Sequence, residues 1–406
     1  MLLLPLYIDP GTGSALFSIA IGVAATIYFL ARGLILKLGI VLFKKKHDTE
    51  SQYKYVIYAE DKRYWPFFET ILDEFEKRGI EVYYLTTTQD DPVFSSQYIN
   101  IKGKFIGQGN KAYAFLNFLS AEFLLTTTPH LDVFQWKRSK NVKHYCHFLH
   151  AAGGAALYNL FSLDYFDSVL LPSETEIPEI RFLEQSRNLK EKILLVIGNT
   201  FLDRCSQKIK QIQTENTHNF TVLVSPSWGK SSLLSVFGDK LLYPLSKTGW
   251  PIIIRPHPQS LIVEKQIIDR LIEKYKENAN IEWDFNHENI YSLSKSDIMI
   301  SDFSGIIFDY VFLFNKPCLV NIQNLNLNRL DAQDLQQEPF FLQSIKKIGT
   351  QIDSSALDNI YEIITNISEN TQMQNIRAEI KNIMWQHQGE SGKRVVDFII
   401  QTVEKE

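Results

Sequence analysis

The sequence predicts two α/β domains in tandem, facing one another across a cleft and preceded by an apolar N-terminal segment. Three observations lead there. Short apolar runs alternate with segments of helical period from Tyr55 onward. A polar stretch at 206–219 interrupts the alternation, which then restarts. Small polar or proline-bearing turns follow the apolar runs, at the strand ends where open parallel sheets bind ligands.

The N-terminal segment, residues 1–50, differs in kind from the rest. Residues 15–30 carry no charge, and the helix extends to Phe43 only by tolerating Arg32 and Lys37. About 20 apolar residues span a bilayer, so the segment reads as a membrane anchor that crosses the bilayer or lies in its interface. Positive charge follows it, at Lys44 to Lys46, which puts the later domains on the cytoplasmic side of the inner membrane. No basic leader precedes it and no cleavage site follows, which argues against a removed signal peptide. Residues 9–14 read as a turn and helix cap.

The first domain, 51–205, has strands expected at 55–59, 80–86, 104–106, 123–127, 142–148, 169–172 and 193–197. Helices are expected at 65–78, closed by Gly79, at 110–119 and at 174–184. The second domain, 206–385, opens on a linker or exposed helix at 206–219. Strands follow at 221–225, 251–255 and 281–283, and helices at 231–237, 262–275 and from 290. Its centre is IMISDFSGIIFDYVFLFNKPCLV, residues 298–320, a strand–helix–strand unit. The tail is helical after Met373, breaks at 388–392, and ends in an amphipathic helix that could cross back to the first domain (386–406).

Composition narrows the function. Over 406 residues the chain is 45% hydrophobic and 13% aromatic, with a net charge of −4 and no basic face, which argues against a nucleic-acid partner. Cys146, Cys205 and Cys318 are odd in number and far apart, so they form no disulfide framework and suit a reducing compartment.

Chemistry concentrates at strand ends. Ser301, Asp302, Ser304 and Gly305 sit at a helix mouth, where backbone N–H groups and the helix dipole favour a phosphate; Ser304 and the amides near Gly305 are the better contacts, and Asp302 suits holding the loop in shape. His257, between Pro256 and Pro258, is fixed just past an apolar strand, and Arg255 adds charge beside it. His150 opens a small-residue loop and can take a hydroxyl proton. Ser225 and Ser227 lie in a phosphate-facing type of loop without P-loop spacing, and Asp203 reads as a helix cap or ligand contact. His144, His147 and His150 form an H-x2-H-x2-H series, but strand alternation turns His147 away from the other two, so no metal site is expected. Hydrolase, zincin and dinucleotide fingerprints are missing from the sequence.

In this order, from about Tyr145 to the tail, the chain resembles the CDP-glycerol glycerophosphotransferase family of teichoic-acid-type polyol phosphate transferases. The resemblance lies in His150 to Gly154, Leu171-Pro172-Ser173, Gly198 to Asp203, Val222 to Trp228 and His257-Pro258. Asp302 to Gly305, Phe308-Asp309-Tyr310 and Lys316-Pro317 complete it. It departs from the family at Ala151 and Ala152, at Gly229 and at Gly305, positions that bear on acceptor and phosphate contacts. The resemblance implies a GT-B fold, two Rossmann-like domains, and no cofactor. It implies transfer of a polyol phosphate from a CDP-activated donor such as CDP-glycerol to a hydroxyl of a lipid-linked glycan at the membrane. It also implies His150 as general base, with His257, Ser304 and neighbouring amides on the diphosphate. Two other readings fit the same cleft: a glycosyltransferase using a nucleotide sugar, and a non-catalytic envelope assembly factor.

Overall fold

A computed structural model describes residues 21–28, 31, 53–150, 154–210, 219–286, 288–323, 325–368 and 371–405. The anchor expected at 1–50 lies outside these, apart from residues 21–28 and 31, which are helical and exposed. Among the described residues no helix is long and apolar enough to cross a membrane.

The first domain contains β1 (Tyr53–Ala59), α1 (Trp65–Lys77), β2 (Val82–Thr86), β3 (Ile101–Phe105) and α2 (Asn110–Asn117). It continues through β4 (Ala121–Thr126), β5 (Val142–Phe148), β6 (Ser168–Leu171), α3 (Ile177–Ser186), β7 (Ile193–Val196) and α4 (Thr200–Ile209). Its seven strands are parallel in the order β3-β2-β1-β4-β5-β6-β7. The second domain contains β8 (Val222–Val224), α5 (Leu233–Val236), α6 (Asp239–Ser246), β9 (Ile252–Ile254), α7 (Ser260–Val263), α8 (Lys265–Tyr275) and β10 (Ile281–Trp283). Then come α9 (Ile290–Lys295), β11 (Ile298–Ser301), α10 (Ile306–Phe314), β12 (Cys318–Val320), α11 (Phe340–Ile348), β13 (Thr350–Gln351) and α12 (Ile360–Ser368). Its parallel strands run β10-β9-β8-β11-β12-β13. The tail is α13 (Thr371–Met384) and α14 (Ser391–Lys405).

The strands read as apolar runs because helices cover both sheet faces. In the second domain Leu223, Ile253 and Met299 pack toward α10, while Val222, Ile252 and Ile298 face α6 and α8. Three of the departures from expectation have local causes; α11, β13 and α12 had no expected counterpart. Helix α4 occupies part of the expected turn and linker, because Asn199 accepts from the Leu202 N–H and starts a helix there. Helix α6 is only eight residues and carries Pro244, too short and too broken for a periodic signal. The expected helix at 174–184 divides into a 3-10 turn, Glu174–Glu176, and α3, with Pro178 in the first turn of α3.

Two connections set the cleft. Helix α14 lies on α1, burying Val395, Val396 and Ile399 against a core that includes Phe68, Ile71 and Phe75. Gly392 permits this approach, since a Cβ there would sit 2.2 Å from the Thr70 carbonyl oxygen. On the other flank, the strap at 329–332 pairs with the loop at 156–160. Leu160 N–H donates to Arg329 O, Asp331 N–H to Tyr158 O, and Ala332 N–H to Ala156 O, at 2.9, 2.8 and 2.8 Å.

Candidate functional site

A cavity of about 350 Å³ lies between the carboxyl edges of the two sheets. The first domain lines it with Arg63, Phe67, His150, Phe201 and Arg204; the second contributes Ser225, Arg255, His257, Ser304, Gly305 and Asp309.

His150 follows β5 directly. Its Nδ1 lies 3.3 Å from the Tyr158 hydroxyl, and its ring meets Tyr64 and Phe67 edge-on. Burial lowers its pKa to about 4, so the imidazole is neutral at pH 7. His257 follows β9 across the cavity. Its Nδ1 accepts the Gln259 N–H at 3.1 Å, which leaves the neutral ring's proton on Nε2 as a donor. Burial, and then Arg63, lower its pKa to about 4.

The mouth of α10 is the third part. Gly305 is its N-cap and no side chain caps the first turn; the Ile307 and Phe308 N–H groups bond the Ser304 and Gly305 carbonyls and the Ser304 N–H bonds Asp302, which leaves the N–H groups of Gly305 and Ile306 at the mouth beside the Ser304 hydroxyl. Asp309, one turn in, has its pKa raised to about 7 by burial, opposed by a hydrogen bond from Asn289.

The expected site residues divide. The structure brings together His150, His257, Ser225, Ser304 and Gly305 on the cavity wall, and Arg255 also lines it. The guanidinium of Arg255, however, is held by Asp284 at 2.6 Å and the Asn286 carbonyl at 2.8 Å, so its charge is largely neutralised. Ser301 is corrected as a phosphate contact: its buried hydroxyl donates to the Ser225 carbonyl at 2.5 Å and ties β11 to the loop after β8. Asp302 is also buried and accepts from the N–H groups of Ser227, Leu233 and Ser304, so it shapes the loop. Ser227 is buried with its N–H spent there. Asp203 does not line the cavity. It sits inside α4 and accepts from Trp385 Nε1, the N–H groups of Gly389 and Ser391, and the Ser391 hydroxyl, fastening the tail.

The other histidines of the H-x2-H-x2-H series are dispersed. His144 stacks on Phe123 and bonds Ser168 at 2.8 Å, while His147 is buried against Tyr158 and Phe166 on the opposite face of the sheet.

Among the polar cavity residues, Arg63, Arg204, Glu288 and Asn289 were not singled out in the sequence, and Asp309 entered only within the Phe308-Asp309-Tyr310 motif. Arg63 stands just past the end of β1, a position that itself marks a ligand edge. Arg204 pairs with Glu69 of the same domain and, at 2.8 Å, with Glu288 of the other, a contact that only the folded chain creates.

This two-domain arrangement is the GT-B fold. Residues 206–401 match the family described as CDP-Glycerol:Poly(glycerophosphate) glycerophosphotransferase. In structure, the chain is similar to the wall teichoic acid polymerase TagF, with a TM-score of 0.60 and 14% identity over 93% of this chain and 98% of that one. It is also similar to a putative UDP-N-acetylglucosamine 2-epimerase from Listeria monocytogenes, with a TM-score of 0.57 and 13% identity over 88% and 98%. A structure of S. aureus MnaA with UDP matches with a TM-score of 0.57 and 14% identity over 87% and 97%. At such identities these likenesses establish the fold. No curated relative matches the chain.

Proposed function

We propose that the chain transfers glycerol phosphate, or a related polyol phosphate, from a CDP-activated donor to a hydroxyl of a membrane-linked glycan in envelope polysaccharide synthesis. The opposition of His150 and His257 across one cavity carries this reading, with the uncapped mouth of α10 beside His257.

The chemistry is positioning plus charge. The donor's diphosphate sits against the α10 amides, Ser304 and the Nε2–H of His257. If His150 gives its Nδ1–H to Tyr158, its Nε2 lone pair is free to take the acceptor's proton. The acceptor oxygen then bonds the phosphorus that bears the polyol. The bond from that phosphorus to the CMP oxygen breaks, and CMP leaves with the electron pair, its charge held by the same donors. A pKa near 4 makes an empty-site His150 a weak base; a bound diphosphate raises it. The segment at 1–50 supports placing the reaction at the cytoplasmic face of the inner membrane.

The test is donor turnover by the purified full chain, offered CDP-glycerol, CDP-ribitol and UDP-sugars, with nucleotide release followed. CMP release that His150→Ala abolishes supports the proposal. UDP release from a UDP-sugar overturns it in favour of a glycosyltransferase, and no turnover with any donor favours an assembly factor.

A further inference from the structure

A cavity of about 800 Å³ lies on the second domain, between α6 and the segment at 354–361 that opens α12, and it shares no lining residue with the cleft. We propose that it is a glycan-binding site, which holds a sugar ring of a chain whose reacting end lies elsewhere. The ligand class follows from the lining; only the tie to catalysis rests on the transferase reading above.

Position keeps the two sites apart. Helices α6 and α12 pack on one face of the second sheet, through Leu241, Leu242 and Leu245 and through Ile360 and Ile364. Lys247 and Thr248 stand between α6 and β9, at the amino edge of that sheet, whereas His257 follows β9 at the carboxyl edge. The three residues of β9 alone put about 10 Å between those edges. A ligand in this cavity leaves His257 and the mouth of α10 open to the donor.

The aromatic side chains select a sugar. Tyr243 and Tyr361 both line the cavity, and they are 55% and 53% exposed. Tyr361 is nevertheless held in place. Its ring stacks on Trp250 at 4.7 Å and 8°, and Trp250 packs in turn on Phe220 at 5.1 Å. One face of Tyr361 is thus spent on Trp250, and the other is a fixed, open platform. Such a platform takes the C–H face of a sugar ring, whose hydroxyls then need donors and acceptors around the edge. Asp358 and Ser354 offer acceptors, and the ammonium groups of Lys240 and Lys247 donate; Lys247 also lies over the Tyr243 ring at 5.2 Å. Asp239 is already engaged, by Lys274 at 2.7 Å and the Tyr275 hydroxyl at 2.6 Å. That leaves Lys240 and Lys247 against Asp358, a weak net charge beside two aromatic faces, whereas a phosphate site is built from converging cations and amides. A glycan held here while its end occupies the cleft raises the effective concentration of that end, so a weak contact in the cleft suffices.

The experiment is saturation-transfer NMR on the full chain, with N,N′-diacetylchitobiose as the neutral probe, glycerol 3-phosphate as the anionic probe and CDP as the cleft probe. The expected result is transfer to the ring C–H protons of the disaccharide that persists when CDP is added. Tyr361→Ala weakens its binding about fivefold, the loss of one aromatic platform, and Asp358→Asn weakens it to a smaller extent. CDP binds both variants as it binds the wild type, which also reports that they fold. No transfer to the disaccharide, or transfer that either variant leaves intact, overturns the site. Transfer that CDP abolishes puts the sugar in the cleft and overturns it as well. Displacement of the disaccharide by glycerol 3-phosphate reveals an anion site instead and overturns the sugar class. Failure of CDP to bind counts against the donor reading alone, since transfer to the disaccharide is first measured without it.

Discussion

His150 and His257 are both neutral at pH 7 for the same reason, burial, yet their partners fit them for opposite work. Gln259 fixes His257 as a donor through Nε2, whereas Tyr158 can accept from His150 and leave it a base. His257→Ala is therefore expected to lower kcat about 100-fold, the usual loss of one fixed charge-stabilising donor, without changing the shape of the pH profile. His150→Ala removes the acid limb itself. In the wild type that limb falls near pH 4 for kcat/KM and at higher pH for kcat, because the bound diphosphate raises the His150 pKa. Rates measured from pH 4 to 9 check both. Asp309 titrates in the opposite sense. Its folded pKa of about 7 lies above the ordinary 3.8, so the folded state holds a proton that the unfolded chain releases between those values. The stability this adds is present at low pH and lost as pH rises through 7. Asp309→Asn keeps the shape without the charge. Its melting temperature should exceed the wild type's at pH 8, by an amount reflecting about 2 kcal/mol after allowance for partial exposure to the cleft, and converge with it near pH 4.

At the scale of elements, the tail helix α14 is fastened at one carboxylate and one glycine. Asp203→Ala leaves three or more donors of the 385–391 turn without their acceptor and should cost about 3 kcal/mol in urea unfolding, mostly as lost charge-assisted hydrogen bonds. Donor binding by the molecules that remain folded is unaffected, because Asp203 does not line the cleft. A ligand role for Asp203 would instead weaken CDP binding at undiminished stability. These two positions mark what sequence could convey. The unit β11-α10-β12 was legible because apolar runs, a small polar turn and Asn315-Lys316-Pro317 lie within one contiguous stretch. His150 and His257 were legible because each directly follows a strand. Asp203 was ambiguous because its partners lie more than 180 residues away. Ser301 and Ser304 look alike in sequence, and only the pairing of β11 beside β8 turns one hydroxyl into the sheet while the other lines the cavity. Arg255 was misjudged for a related reason, since its partner Asp284 comes from the end of β10, the neighbouring strand.

Across the whole molecule, the cleft exists because the two domains are held at both flanks, by α14 on α1 and by the strap at 329–332. Arg187 of the first domain locks the strap. It reaches Asp164 at 2.8 Å in its own domain, and Asp331 and Asp334 of the second at 2.7 Å each. The Asp331 N–H also holds the carbonyl of Tyr158, the residue beside His150. Domain placement and orientation of the base thus share one linkage. Arg187→Met leaves buried carboxylates without their cation and should cost about 3 to 5 kcal/mol. The double change Arg187→Met with Asp331→Asn removes one of those charges and should recover part of the stability. It should not recover orientation, since the bridge between domains is still missing. The expected signature is therefore a double variant with wild-type CDP affinity, a lower kcat and an acid limb shifted along the pH axis, because His150 has lost its fixed neighbour. Small-angle scattering on the same sample should give a larger radius of gyration for the double variant than for the wild type. A double variant with unchanged kcat and pH profile would show that the strap holds the domains together without acting on His150.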